Sequence, residues 1–195
     1  MTVSPGEGLV RLLEVFDRLE IPYMLGGSGA SSVHGLPRTT ADFDIVAKLG
    51  SEEVLPLVTE LQQDFYIDEQ QVQAALEHGC SFNVIHFRSS FKFDIFPLTA
   101  DPYQQAQFGR RRYETSNVFT GEPLDLAVSS PDDVILSKLR WYRLGGELSE
   151  QQWNDVLGVI AVQRALDVAY LRHWADYLGV RDLLEKALAE GPKLP

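Results

Sequence analysis

Two aspartates one residue apart, Asp42 and Asp44, lie in an apolar run that continues through Phe43 and Ile45. Such a run predicts a strand, and alternate residues of a strand share a face. Asp42 and Asp44 then project together while Phe43 and Ile45 turn toward the core. Like charges side by side resist joint ionisation. A hard divalent cation such as Mg²⁺ relieves that repulsion through oxygen ligation. Upstream, the apolar stretch Ile21 to Leu25 runs into Gly26-Gly27-Ser28, followed by small residues Ala30 to Val33 suited to a short helix. Glycine lets backbone approach a ligand closely, and the N–H groups of a first helical turn attract phosphate. A phosphate cradle beside paired carboxylates is what a nucleoside triphosphate (NTP) requires.

A third carboxylate stands apart in sequence. Phe82 to Phe87 and Phe91 to Phe96, joined by Arg88-Ser89-Ser90, read as a β-hairpin. In its second arm Phe91, Phe93 and Ile95 share one face, and Lys92, Asp94 and Phe96 the other. Read alone, Asp94 is an exposed acid on an edge strand.

Gly27-Ser28, thirteen intervening residues and Asp42-Phe43-Asp44 resemble the signature of the polymerase-beta nucleotidyltransferase superfamily, over roughly a quarter of the chain. The run Arg38-Thr39-Thr40-Ala41-Asp42-Phe43-Asp44 is similar to the AbiEii-like, toxin-type branch. The resemblance implies a mixed α/β (α+β) sheet flanked by helices. It also implies transfer of a nucleoside monophosphate from an NTP to an acceptor, and a site of two Mg²⁺ ions, or Mn²⁺, on Asp42, Asp44 and Asp94. Asp94 would also serve as general base, and Gly27 and Ser28 would grip the triphosphate. The implied acceptor is a tRNA end, a protein or a small molecule, and toxin-type relatives imply an antitoxin partner. The later motifs of that branch, a lysine in one helix and an aspartate in the next, match Lys138 and Asp155.

The residues leave several of these roles open. Val134 and Trp141 share the helical face of Lys138, so its stem lies along apolar surface; its ammonium either holds a triphosphate or meets solvent. Asp155 is either a site residue or a helix-surface acid. Arg38 either pairs with Asp42 or holds phosphate with its rigid fork. Arg110-Arg111-Arg112 is either a solvated loop or an electrostatic guide for a phosphate-bearing acceptor. Other chemistries lack their marks: there is no GxSxG elbow, no GxxxxGK[ST] loop, and no HExxH spacing among His34, His78, His86 and His173. Each histidine reads as a surface or satisfied core residue, and Trp141, Trp153 and Trp174 read as core.

The positioning elements follow from periodicity. Leu9, Leu12, Leu13, Phe16 and Leu19 predict an amphipathic helix over 7–20, ended by Pro22. A second helix starts at Ser51, with Glu52 and Glu53 in its first turn. Phe65 to Ile67 predicts a short strand and 69–77 a brief helix ending at Gly79. The segment 99–129 is punctuated by Pro102, Gly109, Gly121 and Pro123 and predicts loops with one strand, Leu124 to Val128. From Ser130 the pattern is helical: Ser130-Pro131-Asp132-Asp133 starts one helix and Gly145-Gly146 ends it, Ser149 starts the next, and two more follow near 167–178 and 181–190. The reading is therefore an α/β lobe over 1–129 and a helical C-terminal lobe over 130–195.

Composition bounds the partners. With 195 residues, 45% hydrophobic and 23% charged, the chain suits a globular core. No apolar run reaches bilayer length and no signal sequence is visible. The lone Cys80 excludes an internal disulfide, fits the reducing cytoplasm, and reads as a buried structural thiol. A net charge of −11 rules out a broad basic surface for duplex binding. It favours a small or cationic acceptor. The rival class is a noncatalytic NTP-binding or protein-interaction module on the same fold.

Overall fold

The computed structural model describes residues 5–38, 40 and 42–191. Thr39 and Ala41, part of the motif read above, lie outside the described residues. The chain opens with α1 (Pro5–Arg18), whose Leu9, Leu12, Leu13 and Phe16 are buried at helical spacing. It continues through β1 (Tyr23–Leu25), α2 (Gly27–His34), β2 (Asp42–Ala47), α3 (Ser51–Leu61), β3 (Phe65–Tyr66) and α4 (Glu69–His78). A hairpin of β4 (Phe82–His86) and β5 (Lys92–Pro97) follows, pairing Ile85 with Lys92 and Phe82 with Ile95. Next come α5 (Pro102–Gly109), β6 (Arg112–Ser116), β7 (Leu124–Val128), α6 (Pro131–Leu144), α7 (Glu150–Val162), α8 (Val168–Leu178) and α9 (Arg181–Glu190).

The strands form one mixed sheet in the order β3-β4-β5-β2-β1-β7-β6. β2 runs parallel to β5, β1 parallel to β7, and the other pairs are antiparallel. At the centre, Phe43 and Ile45 of β2 and Phe93 and Ile95 of β5 are buried, with Phe43 stacked on Phe93 at 5.7 Å. That burial holds both strands to one register, since a slip of one residue would turn every aromatic outward. The C-terminal helices share this core: Leu136 and Leu139 of α6, Val156 of α7 and Leu171 of α8 belong to the same buried cluster as the strands.

Two elements in 99–129 differ from the sequence reading. Pro102 starts a helix instead of breaking one. Asp101 caps α5 by accepting from the Gln104 N–H at 2.9 Å, and proline at a first helical position forfeits no intrahelical bond. β6 escaped notice because Arg112 to Ser116 carries almost no apolar residue; it is an exposed edge strand held by its ladder to β7. Cys80 is also corrected: it is free and exposed, because the left-handed Gly79 ends α4 and puts Cys80 in the link before β4. No helix among the described residues is long and apolar enough to cross a membrane.

Candidate active site

The site begins with β2. Its alternation buries Phe43, Ile45 and Ala47 and leaves Asp42, Asp44 and Val46 on the other face. The parallel ladder to β5 pairs Asp44 with Asp94 and Asp42 with Lys92. Register partners on neighbouring strands share a face, so Asp42, Asp44 and Asp94 all stand on the same side of the sheet. Lys92 completes the group, its Nζ 2.7 Å from Asp94 Oδ2 and 3.8 Å from Asp42 Oδ2. The Asp44 carboxyl is pushed up to about 6, by burial first and then by the charges of Asp42 and Asp94, against Lys138 and Lys92. This donor set suits a divalent cation: hard carboxylate oxygens on one face, one carboxyl raised by burial and by its acidic neighbours. Among the described residues no three such groups already converge as a ready-made metal site.

The antiparallel pairing of β1 with β2 sets Leu25 against Ile45, so the turn after β1 lies directly over Asp44. The Gly26 N–H donates to the Asp44 carbonyl oxygen at 2.8 Å. Gly27 has φ +50°, and a Cβ there would lie 1.7 Å from Asp44 Oδ2. Only glycine permits both the left-handed backbone and this approach. α2 starts here with Gly26 at its N-cap and no side chain capping it.

A second cluster adjoins the first. Ser28 Oγ is reached by Arg38 Nη2 at 2.7 Å and by Lys138 Nζ at 3.2 Å. Arg38 grips Asp155 with two bonds, Nε to Oδ1 at 2.9 Å and Nη2 to Oδ2 at 2.8 Å, and Lys138 Nζ lies 2.9 Å from Asp155 Oδ2. With its amide oxygen turned toward the guanidinium, Gln151 accepts from both terminal nitrogens of Arg38 at 2.8 Å. Burial alone would raise the Asp155 carboxyl, but hydrogen bonds from Arg38 and Lys138, with their charges, hold it below the usual carboxylate range. The alternatives left open by sequence are thereby narrowed. Lys138 is buried, not a solvated surface lysine, and Arg38 pairs with Asp155 instead of Asp42. Two cations against one carboxylate leave a net positive charge beside Ser28 and the start of α2, a combination that suits phosphate.

Members of both clusters line one cleft of about 640 Å³, Gly27, Asp42 and Asp44 from the first and Ser28, Lys138 and Gln151 from the second, whereas Asp94, Lys92, Arg38 and Asp155 lie outside its lining. Trp141 and Leu144 also line it, and Trp141 is 56% exposed. The sequence reading put Trp141 in the core; it sits instead one turn beyond Lys138, at the cleft. Lys92 was missed as a site residue, although its position two before Asp94 on the same strand face was the available signal. The arginine cluster is largely occupied elsewhere: Arg110 bonds Asp132 at 3.0 Å and covers the Tyr170 ring at 3.8 Å, while Arg111 covers Phe108. His34 is the satisfied core histidine expected, with Nε2 2.7 Å from the Ser129 carbonyl oxygen.

This arrangement of sheet, turn and helices has solved counterparts. An antigenic nucleotidyltransferase-like protein from Paracoccidioides brasiliensis matches over 98% of this chain and 96% of its own, with TM-score 0.54 at 18% identity. The chain has the nucleotidyltransferase fold. An antibiotic-resistance factor and an antibiotic adenylyltransferase match as well. ANT(2″)-Ia in complex with adenylyl-2″-tobramycin aligns with 89% of this chain and 96% of its own, TM-score 0.55 and 12% identity. The lincosamide antibiotic adenylyltransferase LnuA, with lincomycin bound, aligns with 84% of this chain and 100% of its own, TM-score 0.50 and 13% identity. No protein-family model matches the sequence, and no curated protein matches it significantly. At these identities the likeness concerns the fold, and the chemistry rests on the side chains described above.

Proposed function

We propose that this protein is a metal-dependent nucleotidyltransferase: an acceptor hydroxyl attacks the α-phosphorus of an NTP, the bond to the β-phosphate breaks, and pyrophosphate leaves as the nucleoside monophosphate joins the acceptor. The observation that carries the reading is the register of Asp44 with Asp94, on the face that Asp42 shares and directly beneath Gly27. Asp42, Asp44 and Asp94 would hold divalent cations, Mg²⁺ or Mn²⁺. When bound, these would neutralise the triphosphate and lower the acceptor's pKa. The protein's own residues do the placing. The Gly27–Ser28 turn and the start of α2 receive the phosphates, and Lys138 and Arg38, held by Asp155, supply positive charge next to Ser28. Asp94, level with Asp44 on the neighbouring strand, would take the acceptor proton as general base. Chemistry of this kind asks mainly for orientation and charge complementarity.

For the acceptor, the net charge of −11 and a cleft of a few hundred cubic ångströms favour a small hydroxyl-bearing molecule over an extended RNA. The toxin-type branch suggested by Arg38 through Asp44 makes a tRNA end or a protein the competing acceptor, with an antitoxin as partner. Incubation with each α-labelled NTP, Mg²⁺, and separately total RNA, total protein and a small-molecule extract tests the reading. Label transfer to one fraction is expected, falling at least about a thousandfold in Asp42→Asn and Asp44→Asn while both variants keep the wild-type fold by circular dichroism. NTP binding without transfer to any fraction would instead identify a noncatalytic NTP-binding module.

A further inference from the structure

Among the described residues of β2 and β5 on the carboxylate face, Lys92 is the one whose charge opposes the rest. It stands opposite Asp42 in the β2–β5 ladder and two residues before Asp94 on its own strand. Its ammonium is 2.7 Å from Asp94 and 3.8 Å from Asp42. Three carboxylates on one face repel one another, and this ammonium lies between two of them. A lysine side chain is a compact charge on a flexible stem. At 42% side-chain exposure, Lys92 can swing into solvent without disturbing the core.

We propose that Lys92 is a positioning residue that occupies the cation's place between Asp42 and Asp94 and gives way when a divalent metal ion enters. The inference rests on the reading of these aspartates as metal ligands. An ammonium satisfies the carboxylates while no metal is bound, so the strands β2 and β5 keep their register under like-charge repulsion. A divalent cation brings twice the charge and needs direct oxygen contacts, so its entry breaks the Lys92–Asp94 pair. Metal affinity is therefore lower than the three carboxylates alone would set. The charge that lowers it also protects the metal-free fold.

The test uses the full chain with Lys92→Met, which keeps the stem and removes the charge, and Lys92→Arg, which keeps the charge. Mn²⁺ binding is followed by calorimetry and by the electron paramagnetic resonance of free Mn²⁺. Thermal unfolding is recorded in chelator and in saturating Mn²⁺. Lys92→Met is expected to bind Mn²⁺ about tenfold tighter than wild type, the equivalent of one unit of charge-state preference. It is expected to melt lower in chelator and to regain wild-type stability with Mn²⁺, whereas Lys92→Arg stays near wild type in both. Unchanged or weaker Mn²⁺ binding in Lys92→Met, with wild-type binding that Asp44→Asn removes, would overturn the proposal and leave the metal-site reading intact. Absence of Mn²⁺ binding in wild type and Lys92→Met alike would overturn both.

Discussion

Gly27 is the position where a single atom decides most. Its φ of +50° and the 1.7 Å between a notional Cβ and Asp44 Oδ2 leave no room for alanine without moving the carboxylate. Gly27→Ala should lower label transfer at least about a hundredfold. It should also cost about 1–3 kcal/mol of stability from backbone strain and the displaced aspartate, read from urea midpoints. Gly29→Ala is the useful contrast. Its Cβ would crowd the apolar side chains of Leu25 and Phe43 at 3.0–3.1 Å and not a carboxylate, so the variant should lose stability and keep more transfer than Gly27→Ala. At Asp44 the same scale explains the raised carboxyl: burial removes water, and the neighbouring acids remove the incentive to ionise.

At the scale of elements, α2 is positioned at both ends. Its start lies over Asp44, and its end is fixed by His34, whose buried ring reaches the Ser129 carbonyl oxygen just before α6 begins. Burial lowers the His34 pKa below its ordinary 6.5, with the Ser129 bond opposing. The folded protein then binds fewer protons at this ring than the unfolded chain does. Its contribution is complete above the unfolded pKa and is lost as pH falls through the lower folded value. Urea midpoints of wild type should therefore decline from pH 7 to pH 5. His34→Gln, which keeps a donor but cannot titrate, should decline less over the same interval. A steeper decline in the variant would show that the slope arises elsewhere. The start of α6 is a second anchored end. Ser130 caps it by accepting from the Asp133 N–H, and Asp133 in turn accepts from the Tyr170 hydroxyl at 2.7 Å, which ties α8 to it.

For the whole molecule, the cluster of Arg38, Lys138 and Asp155 joins the segment before β2 to α6 and α7. Helices distant in sequence thus complete a site begun by the first strands. Removing one partner strands buried charge. Asp155→Asn should lose about 2–4 kcal/mol, and Lys138→Met should lose less while weakening NTP binding about tenfold or more. The double variant should be more stable than the sum of the two losses implies, with a coupling of about 1–3 kcal/mol in a double-mutant cycle. Additive losses would mean that Lys138 and Asp155 do not act on each other.

That Asp42 and Asp44 share a strand face and that Gly27 and Ser28 turn just before them was legible from residue order, because strand alternation and a glycine turn are local properties, whereas Asp94 entered only through the family resemblance. Most helices and strands were legible for the same reason. α5 and β6 were not: one starts on a proline that doubles as a stop signal, and the other is an edge strand without an apolar face. Lys92 and Trp141 were visible as residues but not as members of a site. The pattern of the chain by itself determined that two aspartates share a strand face and that a glycine-rich turn precedes them. Only the tertiary structure decided that β5 lies beside β2 with Asp94 level with Asp44, that Lys92 enters their midst, and that Arg38 turns to Asp155. Those outcomes depend on strand order, register and helix packing, which join residues far apart in the chain, and no local periodicity encodes such distances.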